Sequence, residues 1–316
     1  MERKFSIIHV LLNALREESE VYLYNQNEFI ISLTKSFSVK ELSDFLSVSY
    51  RTAGHYKRGQ RPVSFSSFSK LVKYSGLEAE KQVIQLNKLQ VGCNSGSRNK
   101  KNFLPLRLSK DLLYVTGYLY GDGCLYSKKF SISFVDEYET QILEVAKKIE
   151  SLFKCNYKIY TNESKSELRI YSKPICLFFN RVFEMPIGEK YSRLKVPNIV
   201  YRLPNSLKAE FLKGVMDADG GILRVEDYEQ IPSWFVNSPQ IDLAQKSKFF
   251  IGQIKGLFLN FGIKATGPYY NKNNKCYKVV ISGKKQLKRY HKLQLFSHSM
   301  KKWRLNQLFN ASVAQW

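Results

Sequence analysis

Cysteine and histidine are scarce in this sequence, and their spacing does not match the common metal-binding patterns. Five cysteines and four histidines are spread over 316 residues, and no two cysteines lie within three positions of each other. Structural zinc sites need closely spaced ligands, and disulfide frameworks usually use an even number of cysteines. The sequence therefore excludes a zinc finger, predicts reduced thiols, and disfavours a histidine-based metal site or nucleophile relay.

Long hydrophobic runs are absent as well. No stretch approaches the roughly 18 consecutive apolar residues of a transmembrane helix, and the N-terminus lacks the pattern of a signal peptide. We therefore expect no membrane partner and no secretion. Together with the reduced thiols, this predicts a protein of the cytoplasm or of an organellar matrix or nucleoid.

Acidic residues are few relative to basic ones. The chain has 27 Asp and Glu residues against 50 Lys and Arg residues, so its net charge is +23. Basic side chains that neutralise nucleic-acid phosphates release condensed counterions, which drives association. With 44% hydrophobic residues, the chain also has enough apolar material for two or three folded domains. A nucleic acid is thus the expected partner.

The order of the apolar patterns divides the chain into regions. Residues 1–90 have helical periodicity, and the polar residues 91–102 are interpreted as a linker. Residues 103–204 and 205–310 each contain a helix, a strand, a helix, two strands and a final helix in the same order. Residues 311–316 are expected to be a tail. The internal repeat predicts two similar halves that form a pseudo-dimer within one chain.

Small residues recur four positions apart near the start of each half. Gly117 and Gly121 do so in the first half, and Gly214 and Ala218 in the second. On a helix this spacing gives a smooth stripe, and two such stripes allow helix backbones to come unusually close. We therefore predict that these two helices touch along their small residues.

An aspartate follows each stripe, Asp122 in the first half and Asp219 in the second, and a glycine suited to a left-handed helix C-cap comes next. The predicted geometry brings both acids to the same end of two touching helices. The helix dipoles and the mutual repulsion of the acids disfavour ionisation there. A divalent cation removes these penalties, and hard carboxylate oxygens without nearby His or Cys select Mg²⁺-like ions. The pair therefore predicts metal-dependent phosphodiester hydrolysis.

The segments 115–123 and 212–220 resemble the LAGLIDADG motif of homing endonucleases, and the resemblance covers both halves. The second segment is close to the motif, whereas the first departs from it at Thr116, Tyr118 and Tyr120. The metal-binding acid of the family occupies the eighth motif position, which is aspartate in both copies. The departures therefore concern packing more than chemistry.

The resemblance implies an α+β fold in which each half is an αββαββα unit, with the motif helices at the interface and two curved sheets forming a saddle over double-stranded DNA. It implies a site-specific homing endonuclease that hydrolyses both strands of a long target and leaves short staggered ends. Mg²⁺ is the implied cofactor, Mn²⁺ is an alternative, and Ca²⁺ would bind without supporting cleavage. The backbone carbonyls of Gly121 and Ala218 would complete the metal shell of Asp122 and Asp219. The protein would act as a monomeric pseudo-dimer.

Further site residues follow from the resemblance. Family members place a basic residue near the metal-bound water of each half, and by position these residues are Lys190 and Lys301, with Lys302 equally suited. Gln245, at the end of a predicted strand, resembles the family's glutamine that orients water, and Asp136 has the corresponding position in the first half. The residues alone equally allow phosphate-contacting or solvated lysines, and a helix-capping role for Gln245 or Asp136.

Basic residues alternate with aromatic ones on the predicted strands of both halves, which directs one set toward DNA and the other toward the core. Lysine and arginine contact either guanine edges or phosphates, and the sequence does not separate the two roles. The expected DNA-binding residues of the two halves are Lys128, Lys129, Lys158, Arg169, Arg224, Lys264, Lys275 and Lys278.

The N-terminal region resembles the helix-turn-helix of repressor-like DNA-binding domains, and we expect an all-α domain there; a plain helical bundle is the alternative. Residues 38–46 begin with a serine cap and a capping-box acid, residues 47–49 form a polar turn, and residues 50–57 form a second helix. The residues expected to face the major groove are Tyr50, Arg51, Thr52, His55 and Lys57.

Three functions remain open at this point: a site-specific endonuclease, an RNA-binding maturase that helps its own intron fold, and a helix-turn-helix transcription regulator on an inactive scaffold. Retention of both Asp122 and Asp219 disfavours the regulator, because loss of cleavage would remove the need for the acid pair. It does not disfavour the maturase. An intein is also disfavoured, since the chain starts with Met1 and ends without a His-Asn splice junction.

Overall fold

The computed structural model describes residues 6–85, 88–93, 101–222 and 240–313. The helices are α1 (Ile8–Leu15), α2 (Asn27–Thr34), α3 (Val39–Leu46), α4 (Tyr50–Lys57), α5 (Phe65–Gln85), α6 (Lys110–Asp122), α7 (Glu139–Phe153), α8 (Lys173–Val182), α9 (Asn198–Tyr201), α10 (Asn205–Asp219), α11 (Lys248–Leu259), α12 (Lys284–Leu293) and α13 (Ser299–Val313). The strands are β1 (Val21–Tyr24), β2 (Val63–Ser64), β3 (Lys88–Cys93), β4 (Asn102–Pro105), β5 (Gly123–Tyr126), β6 (Ser131–Asp136), β7 (Tyr157–Thr161), β8 (Ser166–Tyr171), β9 (Gly220–Ile222), β10 (Gln240–Gln245), β11 (Thr266–Asn271) and β12 (Cys276–Ser282). Within the described ranges, none of the helices has the length and apolarity needed to cross a membrane.

One arrangement of elements occurs twice in succession. The first copy contains α6, β5, β6, α7, β7, β8 and α8, and the second contains α10, β9, β10, α11, β11, β12 and α12. The sheet orders are equivalent, β5-β6-β8-β7 and β9-β10-β12-β11, and the strand pairs are antiparallel. The predicted α+β fold with two αββαββα halves is confirmed.

Alternation along the strands gives each sheet one core face. Ile132 and Phe134 of β6 are fully buried, as are Ile241 and Leu243 at the equivalent positions of β10. Helix α7 packs on the first sheet and α11 on the second. Because successive side chains of a strand point to opposite faces, the intervening residues lie on the outer face, away from these helices.

The motif helices α6 and α10 are in backbone contact. A Cβ atom added to Gly117 would lie 2.0 Å from the carbonyl oxygen of Phe211, and one added to Gly214 would lie 2.1 Å from that of Tyr114. Any side chain at these positions would push the helices apart. The predicted small-residue stripes therefore form the contact, and they bring the C-terminal ends of the two helices together.

The N-terminal region contains a sheet, so the prediction of an all-α domain was wrong. Strands β1 to β4 form a four-stranded sheet with the order β2-β1-β3-β4. Its strands are between two and six residues long, too short for their alternation to stand out from the flanking helical patterns. The predicted linker 91–102 also differs, because Val91 pairs with Asn102 across β3 and β4. Residues 94–100 lie outside the described residues.

Helices α3 and α4 lie close to the positions expected from the sequence. The Ser38 hydroxyl accepts a hydrogen bond from the Glu41 backbone N–H, and the Glu41 carboxylate accepts one from the Ser38 N–H. Ser47 ends α3 in the left-handed conformation, and the Ser49 side chain caps α4. The two helices pack against each other. This arrangement is compatible with a helix-turn-helix, whose DNA-binding role stays a prediction.

The N-terminal region is docked on the first half through α8. Glu18 forms ion pairs with Arg181 and Lys173. The Ser172 hydroxyl donates to the side-chain oxygen of Asn102 at 2.6 Å. The predicted domain boundary at residue 90 falls inside β3 and would separate part of β3 from β4, with which it pairs. The N-terminal sheet therefore continues across that boundary.

Replacing Gly117 with valine should strongly destabilise the protein, because the added side chain has no room against the α10 backbone. We expect the free energy of unfolding to fall by about 3 kcal/mol or more in urea titrations. Gly252→Ala is the matched control: an added Cβ in α11 meets no heavy atom within 4 Å, so stability should stay the same or rise by up to about 1 kcal/mol. Equal stability of both variants would contradict the close helix contact.

Candidate metal centre and its surroundings

Asp122 and Asp219 are the last residues of α6 and α10. The helices meet one residue earlier, where a Cβ atom on Gly121 would lie 2.3 Å from the Cβ of Ala218 and 3.2 Å from Oδ2 of Asp219. The two acids are therefore held at the same end of two touching helices, as the spacing of the small residues predicts.

The glycine after each aspartate serves a different purpose from the predicted left-handed cap. Gly123 (φ −107°, ψ 164°) and Gly220 (φ −72°, ψ 140°) are extended and lead directly into β5 and β9. An added Cβ would lie 2.6 Å from Cα of Leu119 at Gly123, and 2.4 Å from the Met216 carbonyl oxygen at Gly220. Glycine is needed because each strand leaves its helix by a tight turn against the preceding helical turn.

Both carboxyl groups have raised pKa values. Burial, followed by the negative charge of Asp122, raises the pKa of Asp219 to about 7. The side chain of Asp122 is exposed to solvent, yet the protein atoms crowded around its carboxyl group raise its pKa as well. The positive charges of Lys190 and Lys301 offset only part of both effects. Two ionised acids in this place are therefore unfavourable unless a cation joins them.

Lys190 closes the C-terminal end of the first motif helix. Its Nζ donates hydrogen bonds to the carbonyl oxygens of Tyr120 at 3.0 Å, of Gly123 at 2.8 Å and of Gly121. The side chain is only 7% exposed, and burial lowers the pKa of this lysine. The ammonium group thus satisfies carbonyls that a helix end leaves without partners.

Lys301 does the same for the second motif helix. Its Nζ donates to the carbonyl oxygens of Met216 at 3.3 Å, of Ala218 at 2.8 Å and of Asp217. Burial also lowers the pKa of Lys301. The side chain of Lys302 is exposed. The structure thus puts Lys301 at the helix end, a choice that the sequence left open.

The carbonyl oxygens expected to bind the metal already have partners. Gly121 accepts from Lys190, and Ala218 accepts from Lys301. A carbonyl oxygen has two lone pairs, so each retains a second acceptor position.

Gln245 and Asp136 end the equivalent strands β10 and β6, but their contacts differ. The Gln245 amide nitrogen donates to Oδ2 of Asp219 at 2.7 Å. Asp136 instead accepts from the Tyr118 hydroxyl and from the Tyr138 backbone N–H at 2.8 Å. Burial acts to raise the pKa of Asp136, but these bonds and His298 outweigh it, and the pKa is lowered.

Two residues near the centre were not predicted. The carboxylate of Asp217 is fully buried and accepts from the backbone N–H groups of Ser297 at 2.9 Å and His298 at 3.0 Å. His298 is 1% exposed, and its Nε2 lies 3.5 Å from Oδ1 of Asp136. Asp217 occupies the sixth motif position, where the first copy has Tyr120, so a motif comparison could have identified it. The dispersed histidine positions did not indicate His298.

Two cavities in the described part of the chain adjoin Asp122. One has a volume of about 190 Å³, and among the residues that line it are Asp122, Asp136, Ala218, His298 and Lys301. The other has a volume of about 500 Å³, and among the residues that line it are Gly121, Asp122, Lys190 and Tyr191. Both offer space beside Asp122 for solvent or a phosphate group.

The oxygen-rich donor set fits a hard divalent cation. In the described ranges, no group of three or more His, Cys, Asp and Glu residues is arranged to hold a metal ion. The available donors are the carboxylates of Asp122 and Asp219, with the carbonyl oxygens of Gly121 and Ala218 beside them. Two carboxylates supplemented by water and carbonyl oxygens suit Mg²⁺ or a similar ion rather than zinc.

The basic residues predicted to bind DNA occupy strands and turns. Lys158 on β7 is exposed, and it pairs in register with Arg169 on β8. Lys278 lies on β12. The others differ from the strand prediction: Lys128 and Lys129 are exposed in a short 3-10 helix, Lys275 is an exposed turn residue, Lys264 precedes β11, and Arg224 lies outside the described residues.

In the N-terminal region, the predicted groove-facing residues are divided. Tyr50 is 66% exposed and Arg51 is also exposed, whereas Thr52 is half-buried. His55 and Lys57 are half-buried. Nδ1 of His55 is 2.9 Å from the side-chain oxygen of Gln60, and the Lys57 ammonium donates to the backbone carbonyls of Thr34, the last residue of α2, and of Phe37. Nδ1 of His55 and the Lys57 ammonium group are therefore engaged within the domain, whereas Nε2 of His55 is buried without a partner among the described residues.

Replacing Asp219 with asparagine should stabilise the metal-free protein at pH 8 but not at pH 4. The folded-state pKa of about 7 lies above the ordinary value of 3.8. The folded protein thus retains a proton that the unfolded chain releases, and stability falls as the pH rises from about 4 to about 7. Thermal unfolding with a chelator present measures the difference, with Asp44→Asn on α3 as control. If the melting temperatures of wild type and variant differ by the same amount at both pH values, the raised pKa of Asp219 is refuted.

Comparison with known families gives a match in the second half. Residues 206–293 match the family model of the LAGLIDADG-like domain. This range begins in α10 and ends with α12, so it contains one complete αββαββα unit.

Curated relatives match over about 200 residues. The chain is 28% identical over 214 residues to the tRNA-splicing ligase RtcB of Methanopyrus kandleri, covering 60% of this chain and 22% of that protein. It is 29% identical over 216 residues to the glutamine–fructose-6-phosphate aminotransferase of Methanocaldococcus jannaschii, covering 65% and 18%. The chain thus spans less than a quarter of the length of these relatives.

The solved structures with similar folds have low sequence identity to this chain and TM-scores below 0.5. The crystal structure of I-DmoI in complex with DNA and Mn has 17% identity and a TM-score of 0.43, covering 58% of this chain and 96% of that one. The homing endonuclease I-WcaI bound to its DNA recognition sequence has 15% identity and a TM-score of 0.42, covering 63% and 87%. Similarity at this level does not assign a function. The family model identifies residues 206–293 as a LAGLIDADG-like domain, and the first half repeats the order of helices and strands of that domain.

Proposed function

We propose that this protein is a DNA endonuclease that uses a divalent metal to hydrolyse both strands of a long double-stranded target. The observation that carries the proposal is the position of Asp122 and Asp219 at the ends of two helices whose backbones touch. The fold itself does not require acids there, and burial together with mutual repulsion makes them unfavourable. A metal-dependent phosphodiester hydrolase has a use for such a pair, because anionic ligands hold its divalent cation beside the scissile phosphate.

Asp122 and Asp219 would hold the metal, with the carbonyls of Gly121 and Ala218 completing its surroundings. When bound, Mg²⁺ or Mn²⁺ would activate water and stabilise the leaving oxygen, whereas Ca²⁺ would support binding without cleavage. Lys190 and Lys301 would keep the helix-end carbonyls in place and contribute positive charge near the phosphate. Each motif aspartate would serve mainly one strand, so the product would have short staggered ends.

Gln245 would orient a reacting water on the Asp219 side. Its amide nitrogen is bound to Asp219, and its side-chain oxygen accepts from the Lys246 backbone N–H at 2.7 Å. With both ends of the amide fixed and the side chain only 5% exposed, its orientation is defined before substrate arrives. Such preorganisation is what a positioning group needs.

The outer faces of the two sheets would contact DNA. Each carries an acid–base pair: Arg169 with Glu167, and Lys278 with Asp242 at 2.6 Å. A carboxylate against phosphate would be repelled, whereas a carboxylate in the major groove accepts a hydrogen bond from cytosine. We therefore assign these two pairs to base edges, and the exposed Lys158 to phosphate.

The N-terminal region would add an accessory DNA contact through α4. Arg51 and Tyr50 project from its start, which is the part of a recognition helix that meets the major groove. Because the region is docked on the first half, it would extend one continuous target.

The two halves occupy one chain, so a monomer would supply both motif helices.

Asp122→Asn and Asp219→Asn should each abolish double-strand cleavage while keeping DNA binding, because each removes a metal ligand without disturbing the sheets. The full-length chain would first select duplexes from a randomised library in Ca²⁺. A plasmid carrying the selected site would then be scored for linear product in Mg²⁺. Asp44→Asn should cut like the wild type. Full cutting by the Asp122→Asn and Asp219→Asn double variant, or failure of the wild type to select any duplex, would overturn the proposal.

Lys158→Ala should weaken binding to all sequences and reduce the salt slope of the binding constant by about 1, as loss of one phosphate contact does. Arg51→Ala should weaken binding without changing the cleavage rate at saturating protein. Lys147→Ala is the charge-matched control, because Lys147 is exposed on α7, which packs on the core side of the sheet. Gel-shift titrations at several salt concentrations measure these effects. An unchanged salt slope for Lys158→Ala would remove that residue from the interface.

A further inference from the structure

We propose that His298, held against Asp136, is a positioning residue for only one of the two strand cuts, so that the two strands are cleaved by chemically different centres at unequal rates. The proposal rests on the endonuclease function proposed above. It arises from a departure from the two-fold repeat at the residues around the acid pair.

The residues that end the equivalent strands β6 and β10 have different chemistry. Gln245 has an amide that donates to Asp219. Asp136 has no such donor, and its carboxylate is occupied by the Tyr118 hydroxyl and the Tyr138 backbone N–H. The Asp122 side therefore lacks an amide donor like the one that Gln245 provides on the Asp219 side.

His298 occupies the place beside Asp136. Its ring lies edge-on to Tyr138, with the ring centroids 5.1 Å apart, and its Nε2 faces Oδ1 of Asp136 at 3.5 Å. A carboxylate on one ring nitrogen fixes the tautomer and leaves the other nitrogen as an acceptor. Asp136 therefore directs the proton to Nε2 and makes Nδ1 available to accept a hydrogen bond.

Nδ1 of His298 is buried, and no group in the described part of the chain bonds it. Burying a polar atom without a hydrogen-bond partner is unfavourable, so the buried Nδ1 atom points to a ligand that bonds it. His298 lines the cavity of about 190 Å³ that also contains Asp122 and Lys301. A water molecule in this cavity could donate to Nδ1 while it lies beside Asp122.

Asp217 explains why a histidine is placed beside the acid pair on one side only. Its buried carboxylate holds the backbone of Ser297 and His298 at the start of α13, and the Tyr114 hydroxyl donates to it at 2.9 Å. The equivalent residue of the first motif is Tyr120, whose hydroxyl donates to the Phe183 carbonyl. The second motif alone therefore anchors α13, which carries His298 to the Asp122 side of the interface.

Strand-specific cleavage tests the proposal. The selected duplex would carry a different fluorophore on each strand, and both cuts would be followed in Mg²⁺. His298→Gln should slow one strand on the order of 10-fold or more, as loss of a supporting hydrogen bond near a metal does, and leave the other within about 2-fold. Nicked intermediate should therefore accumulate. Gln245→Ala should slow the opposite strand.

The control is His9→Gln in α1, which removes a histidine far along the chain from the centre and should leave both rates unchanged. A merely structural role for His298 would slow both strands together, so an unchanged ratio of the two rates overturns the proposal. An effect of His298→Gln and Gln245→Ala on the same strand would overturn it too. If His298→Gln does not fold, Asp136→Asn provides the same readout. Absence of wild-type cleavage would instead refute the endonuclease function.

Discussion

The contact between α6 and α10 is the constraint on which the rest of the molecule depends. Gly117 and Gly214 let the two backbones meet where any side chain would collide with a carbonyl oxygen. The sheets of both halves are connected to these helices, so the contact also sets how the sheets face each other. It leaves Asp122 and Asp219 no freedom to separate, which converts a packing feature into an electrostatic one.

The electrostatic problem is balanced by groups of opposite sign at the same place. Lys190 and Lys301 bind the carbonyl oxygens of the helix ends and interact electrostatically with both acids. Burial lowers the pKa of the lysines and raises the pKa of the acids. The lysines and the acids thus each reduce the cost of burying the other's charge. The cost that remains for two ionised acids would favour the binding of a divalent ion.

The repeat is close in architecture and unequal in detail. Gln245 and Asp136 end equivalent strands, yet one contacts a motif aspartate and the other contacts a tyrosine and a histidine. Asp217 anchors α13, while Tyr120 at the matching position is bonded within the first half. A single chain is free to diverge in this way, because a substitution in one half is not copied into the other as it would be in a homodimer.

The sequence by itself determined the elements of the two halves and the pair of motif aspartates, because periodicity and the spacing of small residues are local properties of the chain. It did not reveal the N-terminal sheet, whose short strands acquire meaning only when β3 pairs with β4. Nor did it distinguish Lys301 from Lys302, or indicate His298. Those outcomes depend on which side chain of α13 points to the second motif helix and on what the first half presents there. Only tertiary packing brings such distant residues together.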